Sequence, residues 1–313
     1  MDRQSIVKAA EEFFTSSPTN YVSPPGGAEA VDNLSSTAAL RSFKKHNIYG
    51  EREVAEKLIG EKEDALIGMR FFKNPVFSIG RADDPAFETI KQAHVVGPHH
   101  KSPREWMPEG KTVISFFLPY EDRVVEANRR SNTEAAIEWL YTRVDGQQHI
   151  LTFIEMMTDM LKSEGYRALA PQLDETYIMN PGPEPMPWGQ GVPGYSTNWS
   201  ERHVGFVTGL GTFGLSTCFI SKAGCSGRLG SVITDWEAEP DAKDYEHYLD
   251  YCNGCEACFR RCPAGAISHA GKDHALCGAA IGKMCAPYQP RYGCGKCQSG
   301  LPCDRGPARK GNR

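Results

Sequence analysis

The segment CNGCEACFRRCP, residues 252–263, places four cysteines within 12 positions. Thiolate sulfur is a soft donor that selects iron–sulfur clusters or zinc. Structural zinc sites as a rule use two separated cysteine pairs. Here the spacing is C-x2-C-x2-C-x3-C, closed by Pro263. Nine of the 11 cysteines of the chain fall between Cys252 and Cys303. In a reducing compartment such crowding points to metal rather than to disulfides.

Among thiolate patterns, this spacing with a proline after the fourth cysteine is the signature of bacterial ferredoxins. Three of the four thiols hold one 4Fe–4S cluster and the fourth reaches across to a second. Pro263 removes a backbone donor and redirects the chain after that crossing. The first cluster then lacks one thiolate and the second lacks three. Cys277, Cys285, Cys294, Cys297 and Cys303 lie downstream, and the tight pair Cys294 and Cys297 joins Cys262 most simply. We expect Cys252, Cys255, Cys258 and Cys303 around one cluster, and Cys262, Cys277, Cys294 and Cys297 around the other. Cys285 is an alternative to Cys277. A zinc-binding module is the competing reading. Cys218 and Cys225 stand outside the set and are expected as small buried apolar residues.

Outward from this segment, 313 residues suggest two domains at about 150 residues each. We place the boundary near residue 240: residues 1–240 as a cofactor- and substrate-binding domain, residues 241–313 as the two-cluster domain. Apolar runs such as Thr112–Pro119 fall far short of the ~20 residues needed to cross a bilayer. The start, MDRQSIVKAAEEFF, is interrupted by acidic residues where a signal peptide would be continuously apolar. A cytoplasmic protein without a membrane partner is expected. Net charge is −4, from 35 basic and 39 acidic residues, so the bulk balance does not advertise nucleic-acid binding.

Along the chain, residues 5–14 carry helical apolar spacing, residues 15–50 are rich in Ser, Pro, Gly and Asn, and Glu51–Leu66 reads as a second helix. Lys111–Pro119 is the clearest strand. Asn132–Gly165 reads as one long helix or two, broken near Gly146, before a short strand at Tyr166–Ala170. The Pro/Gly-rich stretch 180–196 reads as a lid. Asn198–Thr208 is helical, capped by Asn198 or Ser200, and Gly230–Asp235 is a strand. Gly209, Gly211 and Gly214 match G-x-G-x-x-G. A dinucleotide site requires strand, loop and then helix, and here the order is reversed. The expectation is a helix-to-strand turn, either tightly packed or approaching a cofactor. His94, His99 and His100 are expected at the surface. Glu201 and Arg202 read either as an exposed ion pair or as cofactor contacts. Trp188 and Trp199, flanking Tyr195, read as an apolar wall or as core anchors.

The cysteine module, preceded by SERHVGFVTGLGTFGLS at residues 200–216 and GRLGSVIT at residues 227–234, resembles the epoxyqueuosine reductase family and its relatives, the corrinoid-dependent reductive dehalogenases. The likeness spans Lys111–Cys303. It implies an α+β fold: a flavin-reductase-like α/β domain followed by a bacterial ferredoxin-like domain with two 4Fe–4S clusters. It also implies cobalamin in base-off form, lined by Glu201, Arg202, Gly209, Gly211 and Gly214. A small-molecule substrate and an external electron donor such as a ferredoxin or flavodoxin complete the implied machinery. Two departures stand out. The family follows C-x2-C with x3-C-P, whereas here five residues separate Cys297 from Cys303. Six positions before Glu201, where epoxyqueuosine reductases carry a proton-donating aspartate, stands Tyr195. The dehalogenases use a tyrosine as donor, so Tyr195 is the implied catalytic residue, a phenol of pKa about 10. Only ten residues follow Cys303, without the helical-repeat extension that helps to hold tRNA, and tRNA is not the expected substrate. The competing readings are an electron carrier with no catalytic cofactor of its own, and an epoxyqueuosine reductase acting on tRNA.

Overall fold

A computed structural model describes residues 1–22, 64–180, 196–288 and 291–309. Most of the expected helix Glu51–Leu66 lies outside the described residues, as do the body of the expected lid, Trp188 and Tyr195. In chain order the described elements are α1 (Arg3–Ser16), β1 (Val76–Arg81), α2 (Ala86–Ile90), α3 (Pro103–Trp106), β2 (Thr112–Pro119), α4 (Asp122–Arg129), α5 (Ile137–Val144) and α6 (Gly146–Ser163). There follow β3 (Ala168–Leu169), β4 (Met179–Asn180), β5 (Ser196–Thr197), α7 (Glu201–Thr208), β6 (Gly211–Phe213), β7 (Phe219–Ser221) and β8 (Gly227–Thr234). The cysteine-rich segment adds α8 (Ala257–Arg261), β9 (Ile267–Ser268), β10 (Gly271–Lys272) and α9 (His274–Cys285).

The main sheet runs β1-β2-β8-β3, with every pair antiparallel. All eight residues of β2 are buried, which is unusual for an antiparallel strand with one wet face. Ile114, Phe116 and Leu118 enter the core formed with Phe14 of α1 and Phe153, Ile154 and Met157 of α6. Val113 points the other way, into a core with Trp199, Val204 and Val207. Helices therefore cover both faces, and the apolar run is continuous because neither face is solvated. Each large side chain so buried contributes about 1.5–3 kcal/mol.

The helices follow their sequence signals. In α1, Asp2 accepts from the Ser5 backbone N–H at 2.7 Å, and Ile6, Ala10 and Phe14 recur on the buried face. The stretch Asn132–Gly165 resolves into two helices, α5 and α6, meeting at Asp145.

Residues beyond 240 pack back onto the sheet-and-helix body through charged side chains that close on backbone oxygens. Lys296 Nζ donates to Asn128 O at 2.8 Å and to Asn128 Oδ1 at 2.9 Å. Arg261 Nη2 donates to the carbonyls of Asn128 and Arg129, both at 2.9 Å. Arg291 grips Asp145 with two bonds of 2.7 and 2.8 Å and lies over the Tyr141 ring. The result is an α+β body with a thiol-rich lobe seated on α4, α5 and the β6–β7 hairpin. Its finer likeness to a flavin reductase rests on the resemblance alone. Among the described residues no helix is long and apolar enough to cross a membrane.

Candidate metal centre

Cys252, Cys255, Cys258 and Cys303 line one small pocket, with Gly214, Leu215 and Ser216 among its other lining residues. The set expected for the first cluster is thus gathered from two places 45 residues apart, against the turn that closes the G-x-G-x-x-G stretch. Burial and the neighbouring thiols Cys303 and Cys252 push Cys258 up to about 12. Four thiolates in so small a space repel one another unless cations sit among them, which is what a cluster's irons supply. Among the described residues no three His, Cys, Asp or Glu side chains are grouped closely enough to hold a metal ion as they stand, while four thiols around one pocket match the ligand number of a 4Fe–4S cluster.

The second group gathers near Lys272 of β10. Burial raises Cys294, whose charge environment includes Cys277 and Cys262. Lys272, carried by β10, places Nζ 3.9 Å from Cys297 Sγ. The thiolate charges of Cys297, Cys218 and Cys277 hold its ammonium well above the usual lysine range, against the opposing effect of burial. Cys262, Cys277, Cys294 and Cys297 thus share one electrostatic neighbourhood. Cys285 does not join it: fully buried, it packs with Ala135, Leu140, Ile281 and Met284.

The structure also brings in two thiols that the sequence reading set aside. Cys218 Sγ lies 3.6 Å from Cys297 Sγ, and Cys225 Sγ lies 3.8 Å from Cys303 Sγ. Both are buried, as expected, yet each touches an expected ligand. The available signal was their position in and just after the β6–β7 hairpin, which continues the glycine turn that faces the first cavity.

Glu201, at the first position of α7, forms no ion pair with Arg202. Its carboxylate accepts from Gln172 Nε2 at 2.8 Å, Trp199 Nε1 at 3.1 Å and Ser231 Oγ at 2.7 Å. Burial pushes it up to about 7 against the lowering effect of those three donors. Arg202 Nη1 donates instead to Thr217 O at 3.3 Å. The exposed-pair reading is corrected: the carboxylate is enclosed by neutral donors. His100 is a second correction, since it is 1% exposed and its Nε2 accepts from the Ser200 N–H at the start of α7. The helix takes its N-terminal partner from another segment, a contact invisible in local sequence. Trp199 is a core anchor, fully buried and stacked between Phe87 and His100.

The family described as Fer4, 4Fe-4S binding domain, matches residues 245–268. A curated relative, the epoxyqueuosine reductase of Bacillus subtilis (strain 168), is 23% identical over 221 residues, covering 66% of this chain and 50% of its own length. The chain is similar to the epoxyqueuosine reductases. It spans half the length of that curated relative. A solved epoxyqueuosine reductase with an epoxyqueuosine-modified tRNA-Tyr stem loop matches at 18% identity and a TM-score of 0.41, covering 73% of this chain and 61% of that one. A catabolic reductive dehalogenase in complex with 3-bromo-4-hydroxybenzoic acid matches at 16% identity and a TM-score of 0.48, covering 74% and 30%.

The positions that the epoxyqueuosine reductase resemblance implies as corrinoid-facing have separate surroundings. Glu201 and Arg202 are engaged by protein, as described. Gly209 ends α7 in the left-handed region, φ 99°. A Cβ at Gly211 would lie 2.1 Å from the Ile220 carbonyl oxygen, so hairpin packing accounts for that glycine. Gly214 faces the thiol cavity. The three glycines thus meet different surroundings, and the corrinoid contacts stay with the resemblance.

Proposed function

We propose that this chain is an iron–sulfur oxidoreductase of the epoxyqueuosine reductase and reductive dehalogenase type, working in the cytoplasm on a small organic substrate. One observation carries the reading: Cys252, Cys255, Cys258 and Cys303 ring one cavity within and beside the segment that matches a 4Fe–4S binding domain. Cys262, Cys277, Cys294 and Cys297 are the ligands proposed for a second cluster. When bound, two such clusters supply one-electron carriers whose potentials answer to nearby charge and solvent access. The protein's part is to supply eight thiolates, to wall one side of the first cavity with the Gly214–Ser216 turn, and to hold a cation, Lys272, against Cys297. A ferredoxin or flavodoxin is the class of external donor this arrangement accepts.

The resemblance further implies cobalamin and Tyr195 as proton donor. Both stay with the resemblance, Tyr195 because it lies outside the described residues. Epoxyqueuosine-modified tRNA is the second reading, favoured by the name of the curated relative and the solved tRNA complex, and at odds with the sequence expectation.

The test is anaerobic reconstitution. About eight irons per chain, at four for each cubane, with a brown colour that bleaches on reduction, are expected. Colourless protein holding zinc would overturn the proposal. Stoichiometric uptake of cobalamin by the iron-loaded protein would add the corrinoid. Loss of queuosine from the tRNA of a strain lacking the gene would decide for the tRNA reading.

A further inference from the structure

Of the three cysteines outside the proposed ligand set, Cys285 sits in an apolar cluster and the other two are distributed one to each site, each against one ligand. Cys225 is 1% exposed and Cys218 4%, and their sulfurs approach Cys303 and Cys297 at 3.8 and 3.6 Å. At the first site the backbones are joined as well. The Cys225 N–H donates to the Cys303 carbonyl at 2.9 Å. The next residues repeat the contact, with the Ser226 N–H donating to the Asp304 carbonyl at 3.2 Å, so the two segments lie side by side. Gln298 braces the same segment, its Nε2 donating to the Cys225 carbonyl at 2.9 Å. The chain thus keeps the two thiols side by side through contacts that do not depend on either sulfur.

We propose that Cys225 and Cys303 form a disulfide when the first site loses its iron, and that Cys218 and Cys297 do the same at the second. Each site then carries a reserve thiol that parks one ligand sulfur in a reversible state. The inference rests on the ligand assignment proposed above. The oxidant is a low-molecular-mass disulfide, RSSR. The partly exposed Cys303 attacks one sulfur of RSSR as thiolate, forming a mixed disulfide and releasing RS⁻. The buried Cys225 then attacks the Cys303 sulfur and displaces the second RS⁻. Two protein thiols lose two electrons, RSSR gains them, and the two thiol protons leave on two RSH. A thiol reductant reverses the sequence and returns both sulfurs. Without the neighbour, a ligand thiolate exposed to peroxide climbs to sulfinic acid, which iron cannot reuse.

The experiment begins with anaerobically iron-loaded full-length protein, its iron counted. The protein is treated with glutathione disulfide and a chelator, alkylated and digested without reduction, and its peptides are mapped by mass spectrometry. Cross-linked peptides joining Cys225 to Cys303 and Cys218 to Cys297 are expected, disappearing with dithiothreitol. Cys225→Ser and Cys225→Ala should hold the wild-type amount of iron at the outset. After one cycle of oxidation, reduction and reloading they should recover at least twofold less iron at the first site. Alkylated Cys225 with Cys303 bound to Cys252, Cys255 or Cys258 would overturn the proposal, as would full recovery by both variants. Iron content before oxidation reports separately on the ligand assignment: a chain that holds no iron and still forms both bonds keeps the pairing and loses the assignment.

Discussion

A single carboxylate shows how burial sets chemistry here. Glu201 is pushed from 4.5 up to about 7 by burial, so the native protein binds its proton more tightly than the unfolded chain does. The associated stability is complete below about pH 4.5 and is lost as pH rises through about 7. Glu201→Gln keeps the shape and removes the titration. Between those limits wild type should lose on the order of 3 kcal/mol relative to the variant, read from urea midpoints at each pH. Parallel pH profiles would mean a carboxylate that is charged and solvated throughout. The ligand choice at the second site is also a residue-scale matter. Cys277→Ala should lose about half the bound iron, four of eight atoms by cubane stoichiometry. Cys285→Ala, altered inside an apolar cluster, should keep its iron and lose stability. The reverse pattern would exchange their roles. Eight ligand candidates were legible because cluster chemistry demands thiolates at short spacing. Cys285 could not be told from Cys277, because both lie on one helix and only docking decides which faces the other thiols.

Elements repeat the lesson with packing in place of chemistry. The strand Thr112–Pro119, the first helix and the break before Gly146 were readable from periodicity and turn residues. The continuous apolar run of β2 was readable as a strand, but the reason for its continuity, helices on both faces, was not. The glycines near α7 divide similarly: Gly211 serves the hairpin and Gly214 the thiol cavity, a distinction set by which strand lies opposite. Gly295 offers the sharper test. It sits between Cys294 and Cys297 with φ 63°, and a Cβ there would lie 2.0 Å from the buried Trp139 ring of α5. Gly295→Ala combines a left-handed backbone with overpacking and should cost about 2–4 kcal/mol. Thermal unfolding of the iron-loaded variant should show the loss, together with reduced iron at the second site. An unchanged transition with full iron would mean that the loop does not press on α5.

At the scale of the whole molecule, function depends on a seam. The thiol-rich lobe is held to the body by Arg261 and Lys296 closing on the carbonyls that end α4, and by Arg291 closing on Asp145 between α5 and α6. Neither side of that seam announces itself in sequence, since an arginine bound to a distant carbonyl looks like any surface arginine. The boundary expected near residue 240 marks a change of composition, yet Cys225 and Cys303, or Cys218 and Cys297, meet across it. What the amino-acid order determined alone was a thiol-rich 4Fe–4S binding segment, the helices α1, α5, α6 and α7 and the central strand, because each depends on residues close together in the chain. Tertiary structure decided which thiols share a cavity, which stand in reserve and why Glu201 is held by neutral donors, because those depend on contacts between segments that only the docked lobe brings within reach.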